Sequence, residues 1–350
     1  MKDLAKYLGG ILLAVALLLW VLRGADPAAV WGQLKQASFG LMLVSVVLNV
    51  GHNVFRVWRW RVLLAPFQPG IPFRPMFVAI IVGYMTSWVV PGRLGELVRP
   101  MLLSARERVP LGPCIGSIVA DRMLDGMSVV VLFVIGTWIT PLTGEAAEWE
   151  TIIRTGSVTM AAMVAGVTVL MLLASSAGQR FEGWLDRRHR AIRWVGRTMI
   201  SISSGVKALR SPGLAIQLAA YSLMAWLTIA AATWAGVQAA GADVSFGQIL
   251  VIQPLLVLGV AVPTPGGAGS YHGAMKVGLM LFGVSQVTAV SAAFLMHFLI
   301  VVPVILLGTV LLWTDGISWK ELVSSAAQIR KLGSTEGTGP IAEKVVEETP

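Results

Sequence analysis

Nine apolar stretches, separated by short loops in which arginine and lysine collect, constrain this chain more than any other feature. They fall near 8–22, 39–55, 75–91, 113–140, 157–175, 213–238, 248–263, 269–283 and 286–313. A helix that crosses a bilayer needs about 20 mostly apolar residues, because its backbone polar groups must be satisfied where no water reaches them. Several of the nine meet that length. The alternating ten-residue segments of a membrane barrel are missing. Of 350 residues, 56% are hydrophobic and 13% charged, against a charged share of about 25% in soluble domains. No water-facing globule can bury so much apolar side chain, whereas lipid accepts it. The sequence therefore specifies an all-α polytopic membrane helix bundle, one transmembrane domain over 1–315. A cytoplasmic tail, 316–350, follows; its polar, Gly/Glu-rich end is expected to be disordered from about 332.

The chain carries 27 Lys and Arg against 18 Asp and Glu, a net charge of +9. In a soluble protein this excess would suggest nucleic acid. Here the bases sit in loops beside apolar segments, which is the positive-inside pattern, and no nucleic-acid partner is expected. The one cysteine, Cys114, can build neither an intrachain disulfide nor a metal cluster. No cofactor and no metal are expected. Lys2 and Lys6 precede the apolar run Leu8 to Leu22. That order also fits a signal peptide, but no small-x-small cleavage site follows Leu22, which favours an uncleaved first helix.

Loop charge sets the expected topology. Arg56, Arg59, Arg61 and Arg74 lie on one side of segment 75–91, and Arg93, Arg99, Arg106 and Arg108 on the other. Both flanks are basic and both belong in the cytoplasm, so 75–91 reads as a limb that enters and returns. The loop 141–156, with Glu145, Glu148 and Glu150, belongs outside. The loop 176–212 holds eight Arg and Lys against Glu182 and Asp186 and belongs inside, where it could also lie on the anionic leaflet. A second pair of short limbs, 248–263 and 269–283, meets at Pro263-Thr-Pro-Gly-Gly-Ala-Gly269. The expectation is six crossings plus two re-entrant hairpins in the cytoplasmic (inner) membrane, with both termini cytoplasmic.

An internal repeat fits this plan. The interval from residue 39 to Pro91 equals that from residue 213 to Pro265, and the next helices start near 113 and 286. Each half, about 1–140 and 157–315, would be helix, helix, Pro-Gly hairpin, helix. Three crossings per half invert the second relative to the first, which is a transporter architecture.

Polar residues inside apolar segments are the candidate site. In Pro91-Gly92-Arg93-Leu94-Gly95-Glu96, the proline ends the descending limb and the glycines permit a tight turn and close approach. Arg93, Glu96 and Arg99 recur near one helix face. A cationic face beside a helix N-terminus suits a phosphate, and a solvated loop is the plainer reading. Asp121, Arg122 and Asp125 lie deep in 113–140, where they must pair or line a wet cavity. Arg122 or Arg93 would neutralise the aspartates. Asn49, Asn53 and Arg56 form a polar stripe on one membrane helix, with His52 beside it. Arg59 and Arg61, interleaved with Trp58 and Trp60, are expected at headgroup level as an interfacial anchor. The second hairpin tip is Pro263, Pro265, Gly266, Gly267 and Gly269, with His272 and Lys276 just beyond it. His297, alone in its helix, reads as a hydrogen-bonded packing residue.

These motifs resemble the transmembrane region of lysylphosphatidylglycerol synthases, flippase-like integral membrane proteins. The likeness covers about 5–315 and rests on four stretches. They are Arg59-Trp-Arg-Val-Leu-Leu64, Pro91-Gly-Arg-Leu-Gly-Glu96, Asp121-Arg-Met-Leu-Asp125 and Pro263-Thr-Pro-Gly-Gly-Ala-Gly269. The resemblance implies a bundle with two re-entrant elements that moves lipids between leaflets, with Arg93, Glu96, Asp121, Arg122 and Asp125 facing a cavity. Family members usually carry a glutamate about three residues after the last glycine of the fourth stretch. This chain has His272 there. The tail is too short for the soluble aminoacyl-transferase domain of fused members, so lysyl transfer is not expected.

Three functions follow from these readings. The first is translocation of a lipid or lipid-linked anionic headgroup, powered by an ion gradient, a potential or downhill flow, since no nucleotide-binding motif is present. The second is a non-catalytic partner of an envelope-synthesis enzyme, docking through the basic loop. The third is an intramembrane transferase or hydrolase, with Glu96, Asp121 and Asp125 as acid, base or ligands. No catalytic residue is assigned. The expected partners are membrane lipids, anionic or phosphate-bearing.

Overall fold

The computed structural model describes residues 2–90, 95–185, 211–262 and 264–319. All regular structure among the described residues is helical, without strands. In chain order the helices are α1 (Lys2–Leu22), α2 (Pro27–Lys35), α3 (Phe39–Leu64), α4 (Phe73–Val89), α5 (Gly95–Glu107) and α6 (Leu111–Ile139). They continue with α7 (Glu145–Glu148), α8 (Glu150–Leu185), α9 (Pro212–Ala239), α10 (Phe246–Ala261), α11 (Ser270–Leu281) and α12 (Gln286–Thr314). A 3-10 turn, Pro265–Gly267, joins α10 to α11.

Local chemistry explains the boundaries. Asp26 caps α2 by accepting from the Ala28 N–H, with Pro27 in the first turn, where its missing N–H costs nothing. The short α2 meets the end of α1 at 84°, and the apolar pattern does not anticipate it. Ser245 and Gln248 form a reciprocal capping box at the start of α10. Ser285 caps α12 by accepting from Thr288 N–H. By length and composition α3, α9 and α12 can each cross a membrane. The interrupted pair α1 and α2 passes the same test together.

α3 and α9 form the closest pair, and small residues let them approach. Ser45 Oγ donates to Ala232 O at 2.8 Å, and a Cβ on Gly236 would overlap the Met296 sulfur. α6 packs on both α5 and α10, and α12 packs on both α11 and α4. At the α6–α10 contact, Gly136 lies against Leu250 and Gly247 against Thr140. One apolar core forms around α9, α10, α11 and α12, and another around α3, α4, α5 and α6.

The outer ends of the two short-helix pairs lie at opposite ends of the bundle. Arg74 at the start of α4 and Arg106 near the end of α5 both bind Asp315, just past α12. At the other end, α10 starts beside Thr140, and Gly283 after α11 lies beside Gly144. Gln33 of α2 reaches Ala240 O at this same end, at 2.8 Å. Between the ends, the inner termini of the two pairs meet, with Gly266 and Gly267 against Trp88 of α4.

Asp315→Ala removes the shared carboxylate. Arg74 is largely exposed, so the expected loss is small, about 1 kcal/mol or less. Hydrogen exchange should nonetheless quicken at the start of α4 and the end of α5, and unchanged exchange there would show that Asp315 does not hold the pair.

Candidate functional site

Two aspartates on α6, one turn apart, organise the centre of the first core. Asp121 is wholly buried and Asp125 nearly so. In a low-dielectric interior neither can stay ionised without cations at contact distance. Four arginines supply them. Arg59 of α3 lies between the two acids, its Nη2 2.7 Å from Asp121 Oδ1 and 2.8 Å from Asp125 Oδ1. Arg99 of α5 donates from Nη1 to Asp121 Oδ2 at 2.9 Å. Arg56 donates to Asp125 Oδ2 at 3.0 Å, and Arg122 to the same oxygen at 3.2 Å. The Trp226 indole of α9 adds a hydrogen bond to Asp125 Oδ1 at 2.9 Å.

Aromatic faces and hydroxyls complete the shell. The Arg99 guanidinium lies 4.1 Å from the Trp60 ring centroid, and Trp60 donates to Ser117 Oγ at 2.7 Å. Arg56 sits between Tyr84 and Trp226 at 5.7 and 5.8 Å. Arg59 Nη1 donates to Ser222 Oγ at 3.2 Å. Such faces attract a cation without adding a negative charge. The buried members, Arg56, Arg59 and Arg99 against Asp121 and Asp125, therefore leave one positive charge unbalanced. Arg56 Nε, Arg59 Nε, and both Nε and Nη2 of Arg99 have no hydrogen-bond acceptor among the described residues. Asp121 Oδ1 also receives no well-directed hydrogen bond, although Arg59 is within ion-pair distance.

The cluster opens outward at one edge. Arg122 Nε is 3.4 Å from Glu96 Oε2, and these two side chains are 41% and 36% exposed. Glu96 and Arg99 thus reach the same helix, α6, as their shared face suggests.

The sequence-identified residues divide accordingly. Glu96, Arg99, Asp121, Arg122, Asp125 and Arg56 come together. Asn49 and Asn53 are buried on α3, with the Asn53 amide folded back to Asn49 O and Val50 O. Pro91, Gly92, Arg93 and Pro263, the loop residues 186–210 and the tail from 320 lie outside the described residues. The first part of loop 176–212 continues α8 to Leu185.

Arg59 requires a correction. The alternation with tryptophan suggested a headgroup anchor, but Arg59 is fully buried and bridges both aspartates. Arg61 is half-buried, with its guanidinium over Trp58 at 5.6 Å. The neutralising partner of Asp121 is Arg59 with Arg99, not Arg122. Trp60, Tyr84, Ser222 and Trp226 were also missed. The one available signal was the pair of mid-segment acids, which demanded more buried cations than Arg122 could provide.

His272 and Lys276 belong to a separate group at the second tip. Lys276 Nζ donates to Val21 O at 2.8 Å and lies over Trp20, tying α11 to α1. His297 bonds to Gly266 O at 2.8 Å, as its packing role required. Gly266 and Gly269 have φ of 58° and 81°, the left-handed region open to glycine. A cavity of about 550 Å³ lies at one end of the bundle, lined by Gln33, Gln36, Ser38 and Gln238 among others, away from the ion cluster.

Buried ion networks on apolar helices, joined to two opposed helical pairs, define a polytopic α-helical membrane protein. A model of the lysylphosphatidylglycerol synthase TM region matches residues 7–308, and the chain belongs to this family. It is similar to a UPF0104 membrane protein of Methanothermobacter thermautotrophicus. The two are 23% identical over 306 residues, covering 82% of this chain and 89% of that protein. No solved structure matches.

Proposed function

We propose that this protein moves a lipid with an anionic headgroup between bilayer leaflets. The observation that carries the reading is the buried cation excess, with its unpartnered arginine N–H groups. An uncompensated charge in the membrane interior is costly. A phosphate-bearing headgroup supplies both the missing charge and the acceptors, and Arg's planar fork suits it. Arg122 and Glu96 form the entrance, where the cluster is half-exposed. The lipid chains remain in the bilayer while the headgroup passes the cluster.

The topology in this reading is six crossings, α1, α3, α6, α8, α9 and α12, with α4–α5 and α10–α11 as re-entrant hairpins. The shared Asp315 and the Gly144–Gly283 contact support their return to opposite sides. The exchanged packing of α6 and α12 supports an inverted repeat. Arg61, Arg74, Arg106 and Arg108 mark the cytoplasmic end of an inner-membrane protein, which puts both termini inside.

The test uses purified protein in phosphatidylcholine vesicles holding fluorescent phosphatidylglycerol or phosphatidylcholine probes. Faster inward movement of the anionic probe is expected. Arg122→Gln, at the exposed edge, should slow it about tenfold, equivalent to about 1.4 kcal/mol, without loss of folding. Equal rates for both probes, or a folded Arg122→Gln protein at the original rate, would refute the reading.

A further inference from the structure

The tip of the second helical pair meets the inner end of α4 at a pair of histidines that the ion cluster does not use. His272 on α11 and His297 on α12 have ring centroids 4.5 Å apart. Their hydrogen bonds fix complementary tautomers. The Gly269 N–H donates to His272 Nδ1 at 3.3 Å, so the ring proton of His272 is on Nε2. His297 Nε2 faces Gly266 O at 2.8 Å, and a carbonyl only accepts, so that nitrogen carries the proton. His297 Nδ1 therefore carries the lone pair of that ring. Each imidazole therefore holds the backbone of the same glycine turn, one by accepting and one by donating.

The surroundings are largely aromatic and apolar, and they oppose a second added charge. Tyr271 faces His297 at 5.8 Å and His272 at 6.4 Å. Phe294 of α12 lies 4.6 Å from His272, and Trp88 of α4 lies edge-on 5.9 Å from His297. α1 contributes the apolar Ala14 and Leu17 beside Gly269. Lys276, one turn along α11, is the one cation near the pair among the described residues, held by the Val21 carbonyl of α1. No carboxylate is among these described neighbours. Two imidazolium rings at this separation would repel each other strongly, whereas one proton shared between them is tolerable.

We infer that His272 and His297 form a proton-binding site that couples the lipid movement proposed above to a pH gradient, an inference that rests on that reading. A proton entering on His297 Nδ1 leaves the bond to Gly266 O in place. Its transfer to His272 Nδ1 displaces the Gly269 N–H and loosens the first turn of α11. This change falls where the second tip touches Trp88, the residue that links it to α4. The proton is carried rather than consumed: its release from His272 Nδ1 restores both neutral rings and the Gly269 bond.

Two variants separate titration from packing. His297→Gln keeps an amide N–H for Gly266 O, and His272→Asn keeps an acceptor for Gly269 N–H, yet neither side chain takes up a proton. In vesicles with an imposed pH gradient, the native protein should move the anionic probe at least threefold faster than without one. Each variant should retain the rate without a gradient and lose the acceleration. If the native protein moves lipid at a gradient-independent rate, the coupling fails and the transport reading stands. If no lipid moves under any condition, the transport reading fails. The proton site then rests on nitrogen-15 histidine spectra, which are tractable because the chain has four histidines. One protonation step shared by both rings, and abolished in either variant, would sustain it. Independent titration of the two rings, or none between pH 4 and pH 9, would overturn it.

Discussion

Asp121→Ala is expected to be the most damaging single substitution in this protein. It leaves Arg59 and Arg99 facing each other across a wholly buried site, with Asp125 alone to balance three cations. Removing one partner of a buried ionic network costs about 3–5 kcal/mol, because the surviving charge stays desolvated. Thermal unfolding in detergent should drop by on the order of 10 °C, or the protein should fail to accumulate. A second substitution makes the cause testable. Asp121→Ala with Arg99→Met removes one charge of each sign and returns the cluster to its original excess. The double variant should recover much of the lost stability. If it melts no higher than the single variant, the damage arises from lost packing and the electrostatic account is wrong.

Gly95→Ala should open the first helical pair. A Cβ at this position would overlap the Gly83 carbonyl and the Ser87 hydroxyl of α4. A Cβ added to Gly83 would in turn come within 3.0 Å of Gly95 O, so neither backbone can yield without moving its helix. Overpacking of this kind costs about 1–3 kcal/mol. The expected signature is faster hydrogen exchange confined to α4 and α5, together with slower lipid movement. Gly126→Ala on α6 is the control, because nothing lies near its added methyl group. There a gain in helix propensity leaves stability equal or slightly higher. A Gly95→Ala protein indistinguishable from that control would show that the two helices do not pack as described.

The limits of sequence reading are clearest at Arg59 and Arg61. Both stand in one Arg-Trp alternation, two residues apart, and composition treats them alike. On a helix two residues span about 200°, so they face opposite ways. One enters the core and the other meets Trp58. Which arginine turns inward depends on where α6 and α9 pack, and those helices lie far along the chain. Trp226 and Ser222 were invisible for the same reason. A tryptophan or serine in an apolar helix carries no mark of its partner until α9 is set against α3. Asp121 and Asp125 were legible, because two acids in an apolar run are expensive wherever the helix sits. Gly95 was legible as a place of close backbone approach, but not as the contact with Gly83.

Hydrophobic run length alone specified a helical membrane bundle, since any unpaired backbone in lipid is prohibitively costly. Proline and glycine positions specified where the runs break, because ring constraint and a missing Cβ act locally. The pairing of charges was decided only by tertiary structure. An arginine's neighbours across the bundle are set by helix rotation and packing, and these have no expression in the order of residues along one helix.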